Sequence, residues 1–216
     1  MARTLRIDAY VDLICPWCLI GKAQLRQALA QLAETAPEAR VDLHWQSVQL
    51  IPDVPEDGWP FEAFYLRRLG SSQAVRARRA QVLEAASRAG VRIDYGRIAR
   101  FPNTARAHRL LALGRQQLDA AELDALLDRL YAAYFSQGED LGDPATLAAI
   151  GTDHGIEPQQ LRSQLAEAPA PLPPSGVSGV PFFVFNRQRA LSGAQAPHAL
   201  LAAMREALAR TAPEPG

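Results

Sequence analysis

The chain has 216 residues, of which 48% are hydrophobic, and it carries 23 basic and 23 acidic residues. This length and composition predict one large domain, or a smaller domain with a long insertion, and argue against a disordered chain. A formal net charge of zero argues against a general binder of nucleic acid or other polyanions.

The first fifty residues predict a strand, a helix and a second strand. Leu5, Ile7, Ala9 and Val11 alternate with polar residues, which is the spacing of a strand. The segment "LIGKAQLRQALAQLAE" then repeats leucine at helical intervals, and "VDLHWQSVQL" returns to alternation. A βαβ unit of this kind has parallel strands joined by a right-handed crossover.

Helical patterns fill residues 60–168, and we expect Thr104 to cap the helix "ARAHRLLALGRQQL". A proline-rich connector follows at residues 169–175. The segments "PFFVF", "NRQR" and "ALSG" predict a β-hairpin, and "APHALLAAMREALAR" predicts a final helix. Residues 212–216 are expected to form a flexible tail.

The N-terminus does not resemble a secretory signal, because Asp8 and Asp12 interrupt its apolar residues. The sequence also contains no apolar run long enough for a transmembrane helix. We therefore expect a cytoplasmic protein that does not bind a membrane. A structural disulfide is unusual in that compartment, so two neighbouring cysteines indicate redox chemistry or metal binding.

Both cysteines lie in "DLICPWCLIGK", where the first strand gives way to the helix. Pro16 suits the first helical position, which makes Cys15 the N-cap residue and Cys18 the third residue of the helix. A Cys15 thiolate is stabilised there by backbone N–H groups and by the helix dipole. We therefore expect Cys15 to attack a disulfide and the more buried Cys18 to resolve the mixed disulfide.

Two other interpretations of the cysteine pair remain open. A zinc site needs two further ligands, and the four histidines show no ligand spacing, so we expect no metal site. The two thiols could instead be inert members of the core. The succession of strand, CxxC and helix favours the redox interpretation.

Four motifs extend this interpretation over nearly the whole chain. The segments "DLICPWCLIGK", "FPNTARAHRL", "GVSGVPFFVFN" and "LSGAQ" resemble those of DsbA-family oxidoreductases, in particular the FrnE-like subgroup. The resemblance implies an α/β thioredoxin fold, βαβ followed by ββα, with a large all-helical insertion. It assigns residues 1–59 and 176–211 to the thioredoxin-like domain and residues 60–168 to the insertion.

The resemblance also implies the surroundings of the cysteines. It makes Val180–Pro181 a cis peptide bond that faces them, with the Val180 backbone available to an extended substrate. Pro16 and Trp17 would support the active site, with Trp17 partly exposed above it or packed against the helical domain. Asp12 could tune the thiols or relay protons, or it could serve as a turn or capping residue.

The same fold family includes 2-hydroxychromene-2-carboxylate isomerases and kappa-class glutathione transferases, which bind glutathione and carry serine in place of the first cysteine. By resemblance, Asn103, Ser192 and Gln195 would lie near a glutathione or substrate cleft, although capping roles are open for Asn103 and Ser192. The connector "APAPLPPSG" is shorter than in such relatives, which makes one wall of this cleft thinner or more open.

The sequence therefore predicts a dithiol–disulfide oxidoreductase or isomerase with no bound cofactor, acting on disulfides or thiols of proteins or small molecules. Glutathione is its expected redox partner or co-substrate. The alternatives are a glutathione-dependent isomerase or transferase and a redox-sensing binding module. Both a monomer and a homodimer are compatible with the sequence.

Overall fold

The computed structural model describes residues 3–173 and 175–210. The strands are β1 Thr4–Val11, β2 Arg40–Ser47, β3 Trp59–Pro60, β4 Arg100–Phe101, β5 Phe182–Phe185 and β6 Arg189–Ser192. The helices are α1 Pro16–Thr35, α2 Phe61–Leu69, α3 Ser72–Ala89, α4 Ala105–Gln117, α5 Ala120–Ala132, α6 Pro144–Asp153, α7 Pro158–Ala166 and α8 Pro197–Ala209.

These elements form two compact units. The first contains the described residues up to Val48, Ala89–Val91, and the described residues from 175 onward; the second contains Gln49–Arg88 and Arg92–Pro173. The exact bounds of the predicted domains and connector remain predictions, and the predicted tail at 212–216 lies outside the described residues. Among the described helices, none combines the length and apolar character of a membrane span.

The first unit is built on a four-stranded sheet in the order β2-β1-β5-β6. Strand β1 pairs in parallel with β2 and antiparallel with β5, which confirms the predicted βαβ unit. Leu5, Ile7, Ala9 and Val11 are fully buried. Helices α1 and α8 pack against each other, and α8 also contacts β1 and β5, so this apolar side of β1 belongs to the core.

The opposite side of β1 carries a buried carboxylate, Asp8. Arg6 donates to both of its oxygens, over 2.9 and 2.8 Å, and Gln46 Nε2 donates over 3.2 Å. The hydrogen bonds from Arg6, aided by the one from Gln46, hold the pKa of Asp8 below its ordinary value against the opposing effect of burial. On this side of the sheet, the buried Asp8 carboxylate is therefore stabilised in its ionised form by Arg6 and Gln46.

The predicted hairpin is confirmed as β5 and β6, which pair antiparallel. Gln188 N–H donates to Phe185 O over 3.0 Å across the turn. Asn186 and Arg187 both have positive φ, 48° and 56°. Two such central residues twist the turn in the sense that the paired strands require.

The regular structure of the second unit is helical except for one small β-ladder. The sequence predicts an all-helical insertion and does not anticipate this ladder. Strands β3 and β4 form two antiparallel residue pairs, Trp59 with Phe101 and Pro60 with Arg100. The rings of Phe64 and Phe101 stack with centroids 3.8 Å apart, and Trp59 stacks on Phe64 at 5.6 Å. Aromatic packing aligns these two short segments, which show no strand pattern of their own.

Candidate active site

The cysteine motif occupies the first turn of α1 as predicted. Cys15 is the N-cap residue, with extended backbone angles of φ −90° and ψ 111°, and Pro16 opens the helix. Cys15 O accepts hydrogen bonds from the N–H groups of Cys18, at 3.0 Å, and Leu19, at 3.3 Å. The Cys15 sulfur therefore lies at the positive end of a helix of 20 residues.

The two thiols differ in accessibility. Both cysteines are free thiols; Cys15 is 7% exposed and Cys18 fully buried. Burial raises the pKa of Cys18 well above its ordinary value, and the hydrogen bond and charge of neighbouring Cys15 raise it further. The Asp12 carboxylate acts in the same direction, whereas a backbone hydrogen bond from Asp12 opposes them. Of the two buried thiols, Cys15 is thus the less enclosed.

The loop before β5 lies against Cys15. Cys15 Sγ donates to Val180 O over 3.8 Å, and the Val180–Pro181 peptide bond is cis. Pro181 is buried, and its carbonyl accepts a 2.8 Å hydrogen bond from Gly193 N–H at the end of the hairpin. The first turn of α1 and the loop before β5 therefore form one local site.

A glycine inside α1 permits this close approach. A Cβ atom added to Gly21 would lie 2.9 Å from Pro181 Cγ and 3.3 Å from Phe183 Cζ. Both distances are shorter than ordinary van der Waals contact. This role of Gly21 is not among the sequence predictions, although a glycine within a helical pattern is a signal of close packing.

Asp12 and Lys22, two further ionisable residues of this unit, are also buried. Asp12 is fully buried and Lys22 is 3% exposed. The Lys22 ammonium lies 5.6 Å from the centroid of the Trp45 ring, within the range of a cation–π contact. Lys22 was also missed, but it follows Cys18 by four residues, and that spacing assigns it to the same face of the helix.

The other predicted site residues lie in different surroundings. Pro16 and Trp17 are half-buried in the first turn of α1. Ser192 pairs with Phe182, next to Pro181, and its carbonyl accepts a 2.6 Å hydrogen bond from Gln195 Nε2. These residues share the unit of the cysteines. Their roles in binding glutathione or substrate remain predictions.

Asn103 belongs to the second unit, where its amide is engaged in local hydrogen bonds. Its Oδ1 accepts from Ala105 N–H and Gln49 Nε2, both over 3.0 Å, and its Nδ2 donates to Val54 O over 2.5 Å. The first of these bonds caps α4. Thr104, the expected cap, makes no side-chain capping bond. A ligand-binding role for Asn103 remains a prediction.

No cluster of three or more histidine, cysteine, aspartate or glutamate residues suited to a metal ion occurs within residues 3–173 and 175–210.

Comparison with known proteins agrees with this geometry. A family model described as a DSBA-like thioredoxin domain matches residues 6–205. The chain is similar to a solved structure from Streptomyces coelicolor described as "probable DsbA oxidoreductase SCO1869", with a TM-score of 0.81 and 26% identity, over 98% of this chain and 93% of that one.

Two further structures share the fold. A 2-hydroxychromene-2-carboxylate isomerase has a TM-score of 0.60 at 13% identity, over 93% of this chain and 95% of that one. The cytosolic disulfide reductase DsbM from Pseudomonas aeruginosa, solved with GSH, has a TM-score of 0.54 at 18% identity, over 94% and 96% of the two chains. Because the family model spans nearly the whole chain, this protein belongs to the DSBA-like thioredoxin domain family, consistent with the FrnE-like subgroup that its motifs resemble.

Proposed function

We propose that this protein is a dithiol–disulfide oxidoreductase in which Cys15 is the nucleophile and Cys18 the resolving thiol. The observation that carries the proposal is the asymmetry of the pair. The less buried thiol, Cys15, caps α1 beside the Val180 carbonyl, 3.8 Å away, while Cys18 is fully buried one turn further along. A nucleophile must reach its substrate, whereas a resolving thiol needs to reach only the nucleophile.

The proposed reaction balances as two successive exchanges. The Cys15 thiolate attacks one sulfur of a substrate disulfide, forming a mixed disulfide and releasing the other substrate sulfur as a thiolate. Cys18 then loses its proton and attacks the Cys15 sulfur, which releases the second substrate thiolate and forms the Cys15–Cys18 disulfide. The substrate gains two electrons and the enzyme loses two. The reverse sequence oxidises a substrate dithiol.

The second exchange requires a proton acceptor, because burial keeps Cys18 protonated at neutral pH. Asp12 is the carboxylate whose charge acts on Cys18, and it is itself fully buried. We assign to Asp12 the role of receiving the Cys18 proton as the mixed disulfide is resolved. Lys22, on the same face of α1 as Cys18, is also buried, with its Nζ 5.6 Å from the centroid of the Trp45 ring.

Glutathione is the proposed small-molecule partner. DsbM, which shares the fold, was solved with GSH, and Ser192 and Gln195 lie beside the Pro181 loop, where polar groups could bind a peptide-like thiol. Asn103, in the second unit, stays a predicted binding residue. A cytoplasmic location remains part of the proposal, since a glutathione-coupled dithiol suits that compartment.

The alternative function is a glutathione-dependent isomerase or transferase. The fold similarity to 2-hydroxychromene-2-carboxylate isomerase supports it. In such an enzyme the protein binds glutathione but does not cycle a disulfide, so Cys18 would be dispensable. A dithiol oxidoreductase that lacks Cys18 cannot complete its second exchange.

The decisive experiment is an equilibrium titration of the protein in glutathione redox buffers, with the Cys15–Cys18 disulfide quantified by alkylation and mass spectrometry. We expect a reversible disulfide, whose midpoint distinguishes an oxidant from a reductant, since about 30 mV is tenfold for a two-electron couple. Failure to form it while glutathione still binds would favour the isomerase or transferase.

Two serine variants provide matched controls for turnover. Cys15→Ser removes the nucleophile and should lower turnover of a model protein disulfide more than about a thousandfold, the scale of losing a catalytic nucleophile. Cys18→Ser should accumulate the mixed disulfide with substrate and stop after one exchange. Full turnover by Cys18→Ser would contradict the dithiol mechanism.

A further inference from the structure

The outer edge of β2 is unpaired among the strands that the structure describes. β2 has eight residues without a proline and is the end strand of its sheet. Arg40 N–H and Val48 N–H point inward, to Arg3 O and Val11 O. By the alternation of a strand, the backbone N–H and C=O groups of Val41 and Leu43 point outward, away from β1. Such an edge is a template for pairing with another strand.

An apolar groove runs alongside this edge. It has a volume of about 190 Å³ and lies between the C-terminal half of α1 and the start of β2. Its lining includes Leu29, Leu32, Ala33 and Ala36 from the helix side and Val41 and Leu43 from the strand. Val41 is 41% exposed. A partner that pairs with the edge would therefore also cover apolar side chains.

On the other face of β2, a basic and an acidic side chain are placed so that they can pair with those of a second copy of the strand. Arg40 and Asp42, both exposed, flank Val41 on the face away from the groove. If two copies of β2 pair antiparallel about a two-fold axis at Val41, each Arg40 faces the Asp42 of the other copy, and Ala39 faces Leu43. An axis at Asp42 would instead oppose two carboxylates, which is unfavourable.

We propose that two copies of this chain associate through β2 in an antiparallel pair centred on Val41. The two four-stranded sheets then continue into each other, the α1 helices lie on the same face, and the two grooves merge into one apolar layer. A closed interface of this kind uses the same patch on both copies. An extended segment of unrelated sequence would lack the matching charges. This inference is independent of the proposed redox function.

The first test is the association state of the full-length protein, measured by sedimentation equilibrium over a wide concentration range. We expect a dimer. Val41→Lys brings two ammonium groups together at the centre of the pair and should raise the dissociation constant by at least about a hundredfold. The matched control is Leu66→Lys, which makes the same change at an apolar residue of α2 that is 49% exposed, and it should remain dimeric.

Charge reversal tests the register. Arg40→Asp alone, or Asp42→Arg alone, opposes like charges across the pair and should weaken association. The double variant, Arg40→Asp with Asp42→Arg, restores opposite charges and should recover the dimer. Disulfide turnover measured in parallel reports separately on the redox function, because none of these residues belongs to the site of Cys15 and Cys18.

Cross-linking gives the third test. In a background of Cys15→Ser and Cys18→Ser, Val41→Cys should form a disulfide between the two copies, because directly opposed residues of a hydrogen-bonded pair lie within disulfide range. Leu43→Cys should not cross-link. A protein that is monomeric at every concentration, a dimer unaffected by Val41→Lys, or cross-linking at position 43 in place of 41 would overturn the proposal. Binding of a foreign strand without self-association would overturn it as well.

Discussion

The two ends of α1 meet different surroundings. At its start, Cys18 and Gly21 are buried, and Gly21 lies against Pro181 too closely to admit a side chain. Near its end, Leu29 and Ala33 line an open apolar groove. The same helix therefore holds a reactive pair by tight packing at one end and presents apolar surface at the other. Substitutions near the start should change chemistry, whereas substitutions beside the groove should change association alone.

The largest expected effect concerns the two thiols at the start of α1. In the reduced protein at neutral pH, iodoacetamide should modify Cys15 on the order of a hundredfold faster than Cys18, because Cys18 reacts only when the local structure opens. Each rate is measured by mass spectrometry with the other cysteine replaced by serine. Equal rates would contradict the asymmetry on which the proposed mechanism depends.

The pH dependence of the rate of Cys18 alkylation provides a sharper version of this test. Burial raises its pKa, so its alkylation should accelerate only well above the ordinary thiol value of about 8.5. The folded state favours the neutral thiol, so the stability of the reduced protein should fall as pH rises above that value. Asp12→Asn removes a negative charge and should shift the alkylation profile to lower pH. An unchanged profile would argue against an electrostatic role for Asp12.

A smaller effect is expected from Gly21→Ala. The added methyl group overlaps Pro181, and overpacking costs about 1–3 kcal/mol, partly offset by the roughly 1 kcal/mol that alanine gains in a helix. We therefore expect a net loss of up to about 2 kcal/mol in urea unfolding and a slower reaction of Cys15 with a model disulfide. Gly179→Ala is the matched control, since a Cβ there meets nothing within 4 Å. Equal effects of the two variants would refute the packing argument.

The smallest effect should come from Asp8, on the side of β1 opposite its apolar face. Asp8→Asn removes the carboxylate that accepts from Arg6, at a cost of about 1 kcal/mol near neutral pH. Because the folded pKa of Asp8 is lowered, this stabilisation is present above the unfolded value of about 3.9 and is lost as pH falls through the folded pKa. The difference between variant and parent should therefore vanish in strong acid, as followed by thermal unfolding. Dimerisation and Cys15 reactivity should stay unchanged at neutral pH.

Local patterns in the sequence predict the elements that hold the site. Alternation in β1 predicts its buried face, and a proline directly after Cys15 predicts that Cys15 caps α1. The turn residues between β5 and β6 predict the hairpin. Each of these features depends on neighbouring residues, which a single sequence displays directly.

Contacts between distant segments are the part that local patterns miss. Gly21 looks like an ordinary glycine in a helix until Pro181, far along the chain, is brought against it. Lysine is usually a surface residue, and the burial of Lys22 beside Trp45 depends on the packing of α1 against β2. At α4 the N-cap residue is Thr104, as its pattern predicts, but the side-chain bond to the first turn comes from the preceding residue, Asn103.

The position of β5 in the chain has a consequence for synthesis on the ribosome. β1 pairs with β2 on one side, but its other side is completed only by β5, which begins at Phe182, after the whole second unit. At a synthesis rate of roughly 5–20 residues per second, the interval between the end of β2 and the start of β5 is on the order of 10 s. For that interval the nascent chain carries a central strand with one open side, which makes it a target for chaperones.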